Sequence, residues 1–257
     1  MVVASIGTTD PWNAAGLGLD LRALAELGAT GVTVTAAVSA QDRTGVHAVY
    51  AVASALVTAQ FAALADAGIA AVRIGALVDA PTVVAVADAL ADATVPIVYD
   101  PVLAASGGGT FADPATQTAI VARLLPLVTV VMPNLREAGL LLGVPEPRTV
   151  DGMVVAGRAL RAAGAAAVLV TGGHLAGDDA SGASLVTDVL VDALGTTTFA
   201  DARLPFELRG TGCLLAIGVA VALARGVSLR EAVTDARSFV RAKILGGRLR
   251  GGMRVAY

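Results

Sequence analysis

The sequence predicts a three-layer α/β/α fold, in which a mostly parallel central sheet carries helices on both faces. Three observations lead there. Over 257 residues, short apolar runs of strand length alternate with segments of helical periodicity, the pattern of βαβ units. The short runs are rich in Val, Ile and Ala, as strands buried on both faces require. No linker-like shift in composition and no fixed-period repeat interrupts the chain, so residues 1–257 are expected to form one domain.

The elements follow in order. Val2 to Ile6 is a first apolar strand. Leu17, Leu21, Leu24 and Leu27 fall on one side of a helix, and Gly28 stands just past it as a stop signal. Gly31 to Val38 is β-branched and reads as a strand; Val52 to Ala67 is helical and ends before Gly68. Ala71 to Ile74 is a strand, Thr82 to Ala91 a helix after Pro81, and Ile97 to Tyr99 a strand that ends at Asp100-Pro101. A helix over Ala115 to Leu125, a strand over Val128 to Met132 and a short helix over Asn134 to Leu142 come next. Val154 to Ala163 is helical and Ala166 to Val170 a strand, while Leu185 to Val191 and Thr196 to Phe199 form a pair of edge strands. Two helices, Thr211 to Ala224 and Leu229 to Gly246, close the chain. In sheets of this kind ligands bind beyond the carboxyl ends of the strands. Asp10, Gln41, Asp42, Asp100, Asn134 and Thr171 all stand at such ends.

Composition excludes several classes. Hydrophobic residues make up 56% of the chain, but they are mostly Ala and Val and are often interrupted. The uncharged stretch from Gly212 ends at Arg225, short of the roughly 20 residues a membrane-spanning helix needs. Met1 to Asp10 lacks the basic start of a signal peptide. A net charge of −3 without a basic run argues against nucleic acid, and no membrane partner is expected. A single cysteine rules out an internal disulfide framework and fits a reducing, cytoplasmic setting.

The most informative run is Arg209-Gly210-Thr211-Gly212-Cys213, directly before a long apolar helix. Its glycines allow a tight turn that points backbone N–H groups outward at the positive end of the helix, a favourable place for an anion. A thiol at that end is expected to have a lowered pKa and to accept a proton. Together these suit transfer of a phosphoryl group to an alcohol. The plainer readings are a tight loop–helix junction and a small buried thiol.

Seven segments, in this order, resemble the hydroxymethylpyrimidine and phosphomethylpyrimidine kinases of thiamine biosynthesis, in the ribokinase-like superfamily. They are Ile6-Gly7-Thr8-Thr9-Asp10-Pro11, Asp20-Leu21 with Ala29-Thr30-Gly31, Ala40-Gln41-Asp42-Arg43-Thr44-Gly45-Val46, Asp100-Pro101-Val102, Pro133-Asn134-Leu135-Arg136-Glu137-Ala138, Gly172-Gly173-His174-Leu175 and Gly210-Thr211-Gly212-Cys213. The resemblance implies a ribokinase-like fold, ATP and Mg²⁺ as cofactors, a hydroxymethyl heterocycle as substrate and a homodimer. It places Asp20 and Gln41 on the pyrimidine ring and its amino group, and the turn carrying Asp10 and Trp12 beside the substrate. Asn134 and Glu137 match the pair near magnesium and the phosphates, with Asp100 a second candidate for the metal. Cys213 matches the residue that takes the proton of the hydroxymethyl group, with the backbone of Gly210, Thr211 and Gly212 stabilising the transferring phosphoryl. Each has a plainer alternative: Asp20 as a first-turn helix acid, Gln41 as a polar strand end, Asn134 with Glu137 as a capping box, Asp100 as an Asp-Pro turn residue.

The chain departs from the family pattern at identifiable places. Trp12-Asn13-Ala14-Ala15 replaces Ser-Gly-Gly-Ala, Ala105 and Thr171 replace lysines, and Arg209 replaces a histidine. Thr171 stands where the family approaches the phosphates, and Arg209 is expected to bind phosphate in compensation. Two alternatives stay open: a kinase for pyridoxal or pyridoxine, motivated by Trp12, and a non-catalytic ligand-binding relative, motivated by the missing lysines.

Overall fold

The structure is a computed structural model describing residues 1–103, 111–173, 175 and 184–257. Ala105 and His174 lie outside the described residues. A nine-stranded sheet runs in the order β3-β2-β1-β4-β5-β6-β7-β8-β9. Its strands are β1 (Val2–Thr9), β2 (Thr30–Asp42), β3 (Gly45–Ala51), β4 (Ile69–Ile74), β5 (Ile97–Tyr99), β6 (Val130–Val131), β7 (Val168–Val170), β8 (Leu185–Asp192) and β9 (Gly195–Ala202). β1, β2, β4, β5, β6 and β7 are parallel. β3 and the β8–β9 hairpin add antiparallel strands at the two sides.

Two apolar cores sandwich the sheet. One joins its face to α2 (Ser54–Ala62), α3 (Ala80–Leu90), α5 (Leu135–Leu142) and α6 (Val150–Ala162). The other joins the opposite face to α1 (Gly16–Glu26), α7 (Thr211–Ala224) and α8 (Leu229–Gly246). Strand periodicity sorts the side chains: Val72 and Ile74 enter the first core, Ala71 the second. Burial is deepest at α7, where Leu214 and Ala216 through Ala220 have almost no exposure, because the helix is apolar on all sides. Among the described residues, no helix is long and apolar enough to cross a membrane.

Three local outcomes differ from the sequence expectations. The helix expected over Ala115 to Leu125 is α4 (Pro114–Ala119), followed by a π-turn over Ile120–Leu124 and a 3₁₀ turn over Leu125–Leu127. Pro126 has no N–H to continue an α-helical ladder. The strand at Gly45–Ala51 was not expected; it folds back antiparallel on β2, which therefore extends to Asp42. A C-terminal hairpin, β10 (Arg248–Arg250) and β11 (Met253–Val255), turns through Gly251 and Gly252, both at positive φ. Elsewhere bounds shift by a few residues. Asp79, for example, caps α3 by accepting from the Thr82 N–H, so that helix starts at Ala80 with Pro81 in its first turn.

Candidate active site

The sheet order reverses between β1 and β4, the place at which sheets of this kind leave a ligand crevice beyond the carboxyl ends of their strands. Asp10 follows β1, Asp100 follows β5, Asn134 lies just past β6, and Thr171 follows β7. Asn134 and Thr171 are joined by an isolated parallel bridge. The α7 start approaches the same edge: a Cβ on the exposed Gly212 would lie 3.5 Å from Asp100 Oδ1.

Gly210 is the N-cap of α7, at φ +82°, and offers no side chain to cap the first turn. A side chain there would overlap the Ala14 carbonyl oxygen and the Leu19 side chain, so both the space and the dihedral require glycine. The backbone N–H groups of Thr211, Gly212 and Cys213 thus open the helix without a capping partner on that residue, as an oxyanion cradle needs. Cys213 is buried beneath it. Here the sequence expectation is corrected. Burial pushes the thiol up to about 12, with Arg73 opposing and the Asp100 and Asp20 charges adding to the rise. The desolvation of a fully buried thiol exceeds what the helix end supplies.

Arg73, the one charged residue within β4, was missed by sequence reasoning. Period-two alternation points it away from Val72 and Ile74, toward α1 and α7. It is 1% exposed, donating from Nη1 to Asp20 Oδ2 at 2.9 Å and from Nη2 to Asp100 Oδ2 at 2.5 Å. Burial works against its charge, but the Asp20 and Asp100 carboxylates overcome this and hold it cationic. The usable signal was a lone charge inside the apolar run Ala71-Val72-Arg73-Ile74.

Asp20 and Asp10 differ from expectation for related reasons. Asp20 has no exposed surface, and its Oδ2 also accepts from the Ser5 hydroxyl at 2.6 Å. It stands in the second turn of α1, so it is neither a first-turn dipole acid nor a side chain presented to the crevice; it is the inner partner of Arg73. The Asp10 carboxylate is consumed by the following turn, accepting from the backbone N–H groups of Trp12, Ala14 and Ala15 at 3.0–3.1 Å. That turn replaces a family glycine with Asn13 at φ +50°, a conformation Asn tolerates better than most residues. Trp12 is 46% exposed and leans on the C-terminal hairpin, where a Cβ on Gly251 would lie 2.7 Å from the indole.

Arg209 also departs from expectation. Its guanidinium donates to the Asp42 carbonyl at 2.7 Å and to Gln41 Oε1 at 2.6 Å, and contacts Met253 Sδ at 3.7 Å. It is therefore tied to the β2 end and the hairpin, the side expected for substrate, and not to Asn134 and Thr171, the side expected for phosphate.

Asn134 and Glu137 form a capping box, with two bonds of 2.9 Å. Burial pushes the Glu137 carboxyl up to about 8, and the neighbouring Asp100 charge adds to it. Among the described residues, no group of three or more His, Cys, Asp or Glu side chains is placed to hold a metal ion by itself. Two carboxylates whose repulsion raises one pKa nonetheless fit Mg²⁺, which takes one or two protein carboxylates and fills its remaining positions with water and phosphate oxygens.

A mostly parallel three-layer sheet, with a glycine cradle at the start of its buried central helix, defines a ribokinase-like small-molecule kinase. The comparisons agree. The family model for phosphomethylpyrimidine kinase matches residues 10–254, and the chain belongs to that family. It is 37% identical to the hydroxymethylpyrimidine/phosphomethylpyrimidine kinase of Rhizobium meliloti, over 95% of this chain and 90% of that one. Among solved structures it resembles a phosphomethylpyrimidine kinase from Clostridium difficile, with a TM-score of 0.81, 25% identity and coverage of 94% and 98% of the two chains. An ADP complex of Bacillus subtilis pyridoxal kinase superposes with a TM-score of 0.86 at 28% identity, covering 99% of this chain and 95% of that one. The family and the relatives it matches are named as kinases, which favours the catalytic reading over the non-catalytic alternative motivated by the missing lysines.

Proposed function

We propose that the protein transfers the γ-phosphoryl group of ATP to a hydroxymethylpyrimidine, or to its monophosphate, in thiamine biosynthesis. The observation that carries this reading is the family match over residues 10–254, which spans all the motifs except Ile6 to Thr9 of the first. In the proposed roles, the N–H groups at the start of α7, from Gly210 to Cys213, stabilise charge on the transferring phosphoryl. Asn134 and Thr171 face the nucleotide, Asp100 and Glu137 hold Mg²⁺, and Gln41 with the Trp12 turn borders the substrate. Cys213 Sγ handles the hydroxyl proton, which its raised pKa permits only when the surrounding charge changes. Bound at Asp100 and Glu137, a divalent cation would offset the Asp100 charge that helps to raise the thiol. Arg73 supports the same site as a positioning residue, holding Asp100 beside Gly212. We further propose a cytoplasmic homodimer, in keeping with the single cysteine and the family resemblance.

The test is ADP release on addition of hydroxymethylpyrimidine, its phosphate, pyridoxal or pyridoxine. Turnover is expected with the pyrimidines, lost on chelation of Mg²⁺ and reduced about 10²- to 10⁴-fold in Cys213→Ala, the range for a positioned proton-transfer group. The pyridoxal-kinase reading has its own support in the fold match to the Bacillus subtilis enzyme. Higher kcat/KM on B6 forms than on either pyrimidine would replace the first reading with the second.

A further inference from the structure

A second buried ion cluster lies at the far side of the sheet, away from Arg73. Asp188 in β8 shares the sheet face of Leu190, toward α8, and is 4% exposed. Both of its carboxylate oxygens are engaged. Oδ1 accepts from the backbone N–H of Gly172 at 2.9 Å, and Oδ2 accepts from Nη1 of Arg237 in α8. Arg237 is itself buried, and its Nη2 donates to Asp201 Oδ2 at 2.7 Å and to the Val186 carbonyl at 3.3 Å. The N–H that Asp188 holds belongs to the Thr171–Gly172 peptide, directly past the end of β7. The same segment is tied to the end of β6 by the Thr171 N–H, which donates to the Pro133 carbonyl at 2.9 Å. A Cβ on Gly172 would come within 2.0 Å of the Thr187 carbonyl oxygen, so the turn is pressed onto β8. A desolvated carboxylate is a costly acceptor for one N–H, since it needs a cation brought in from another helix and a neutral acceptor does not. What the pair adds is position. The Thr171 hydroxyl stands one bond from Cβ, so its place follows the backbone beneath it.

We propose that Asp188, with Arg237 behind it, is a positioning residue for the nucleotide: it fixes the Thr171–Gly172 peptide, and ATP is held less tightly when that bond is lost. The inference rests on the reading of Thr171 as a residue that faces the nucleotide. The expected substrate side is well separated from this anchor. Gln41 lies near the end of β2, six strand spacings from β8 in the order β2-β1-β4-β5-β6-β7-β8, or about 29 Å. A general loss of stability does not distinguish the two ligands, whereas loss of a nucleotide anchor raises KM for ATP alone.

The experiment compares two double variants that lose the same charges. Asp188→Leu with Arg237→Met removes both charges and the acceptor. Asp188→Asn with Arg237→Met removes both charges but leaves an amide oxygen for the Gly172 N–H. KM for ATP and for hydroxymethylpyrimidine is measured at a temperature where circular dichroism shows each variant folded. The leucine variant is expected to raise KM for ATP about tenfold, the effect of one buried N–H left unpaired, with KM for the pyrimidine unchanged. The asparagine variant is expected to return KM for ATP close to the wild-type value. If the leucine variant does not fold, Gly172→Ala takes its place, since it forces the same peptide off β8 while leaving the ion pair intact, and it too should raise KM for ATP alone. An unmoved KM for ATP, a rise that the asparagine variant shares, or a rise in step with KM for the pyrimidine overturns the inference and leaves the functional reading standing. If the wild type binds Mg-ATP but phosphorylates neither pyrimidine, the functional reading falls, and the same comparison is read from calorimetric dissociation constants for Mg-ATP. A wild type that binds no ATP overturns both.

Discussion

At the scale of single residues, the site is organised around a buried charge. Arg73 pairs with Asp20 and Asp100, partners 53 and 27 positions away in the sequence. Removing one member of a buried ion cluster leaves the others uncompensated and costs about 3–5 kcal/mol. Arg73→Met should therefore lower the urea midpoint strongly, with Arg73→Lys intermediate because it keeps the charge but not the fork that spans both carboxylates. Glu137 sets a pH dependence of the opposite kind to an ordinary paired carboxylate. Its folded pKa, about 8, lies above the ordinary carboxylate value of 4.5, so the folded state binds the extra proton. That contribution is full below about pH 4.5 and is lost as pH rises toward 8. Urea unfolding in chelator should show Glu137→Gln flattening this slope, since Gln preserves the capping box. The separations explain why Arg73 was not legible in advance: nothing local to β4 reveals that α1 and the β5 end converge on it. Asp10, Asp20 and Arg209 were found as residues of interest by their motifs, but their partners depended on tertiary packing.

At the scale of elements, α7 was legible to its ends, because a glycine run precedes an unbroken apolar stretch and Gly226 follows it. Its two flanking glycines give a matched test. Gly210 and Gly226 have φ of +82° and +80°, but a Cβ at Gly210 would strike the Trp12 turn, whereas nothing lies within 4 Å at Gly226. Gly226→Ala should cost only about 1–2 kcal/mol of backbone strain and leave kcat unchanged. Gly210→Ala should displace the cradle and lower kcat by about 10²-fold or more, the scale of losing an oxyanion donor. Steady-state kinetics and thermal unfolding of the pair separate the two effects. β3 and the C-terminal hairpin were not legible, and the reason is physical. Gly45–Ala51 is at most half-buried and β10 is exposed, so neither shows the apolar signature that marks a core strand.

At the scale of the whole molecule, the layer order was readable because the central parallel strands are covered on both faces and are mainly apolar. The alternation of short and long apolar segments then suffices to give the architecture, and the polar residues at the carboxyl ends mark the side that carries the site. Since both cores share the same strands, neither can melt and leave the other intact. We expect one cooperative transition from a single domain, with calorimetric and van't Hoff enthalpies in agreement. Two separated transitions would show that residues 1–257 do not unfold as one unit.

The contact between Trp12 and Gly251 has an optical consequence. With one tryptophan in the chain, its fluorescence spectrum has a single source, and that source leans on the tip of the C-terminal hairpin beside the Gln41–Arg209 pair. An indole that loses a covering neighbour to water emits at longer wavelength. The protein thus carries an intrinsic fluorophore at the border of its substrate side, able to report a change in its contact with the hairpin without an added label.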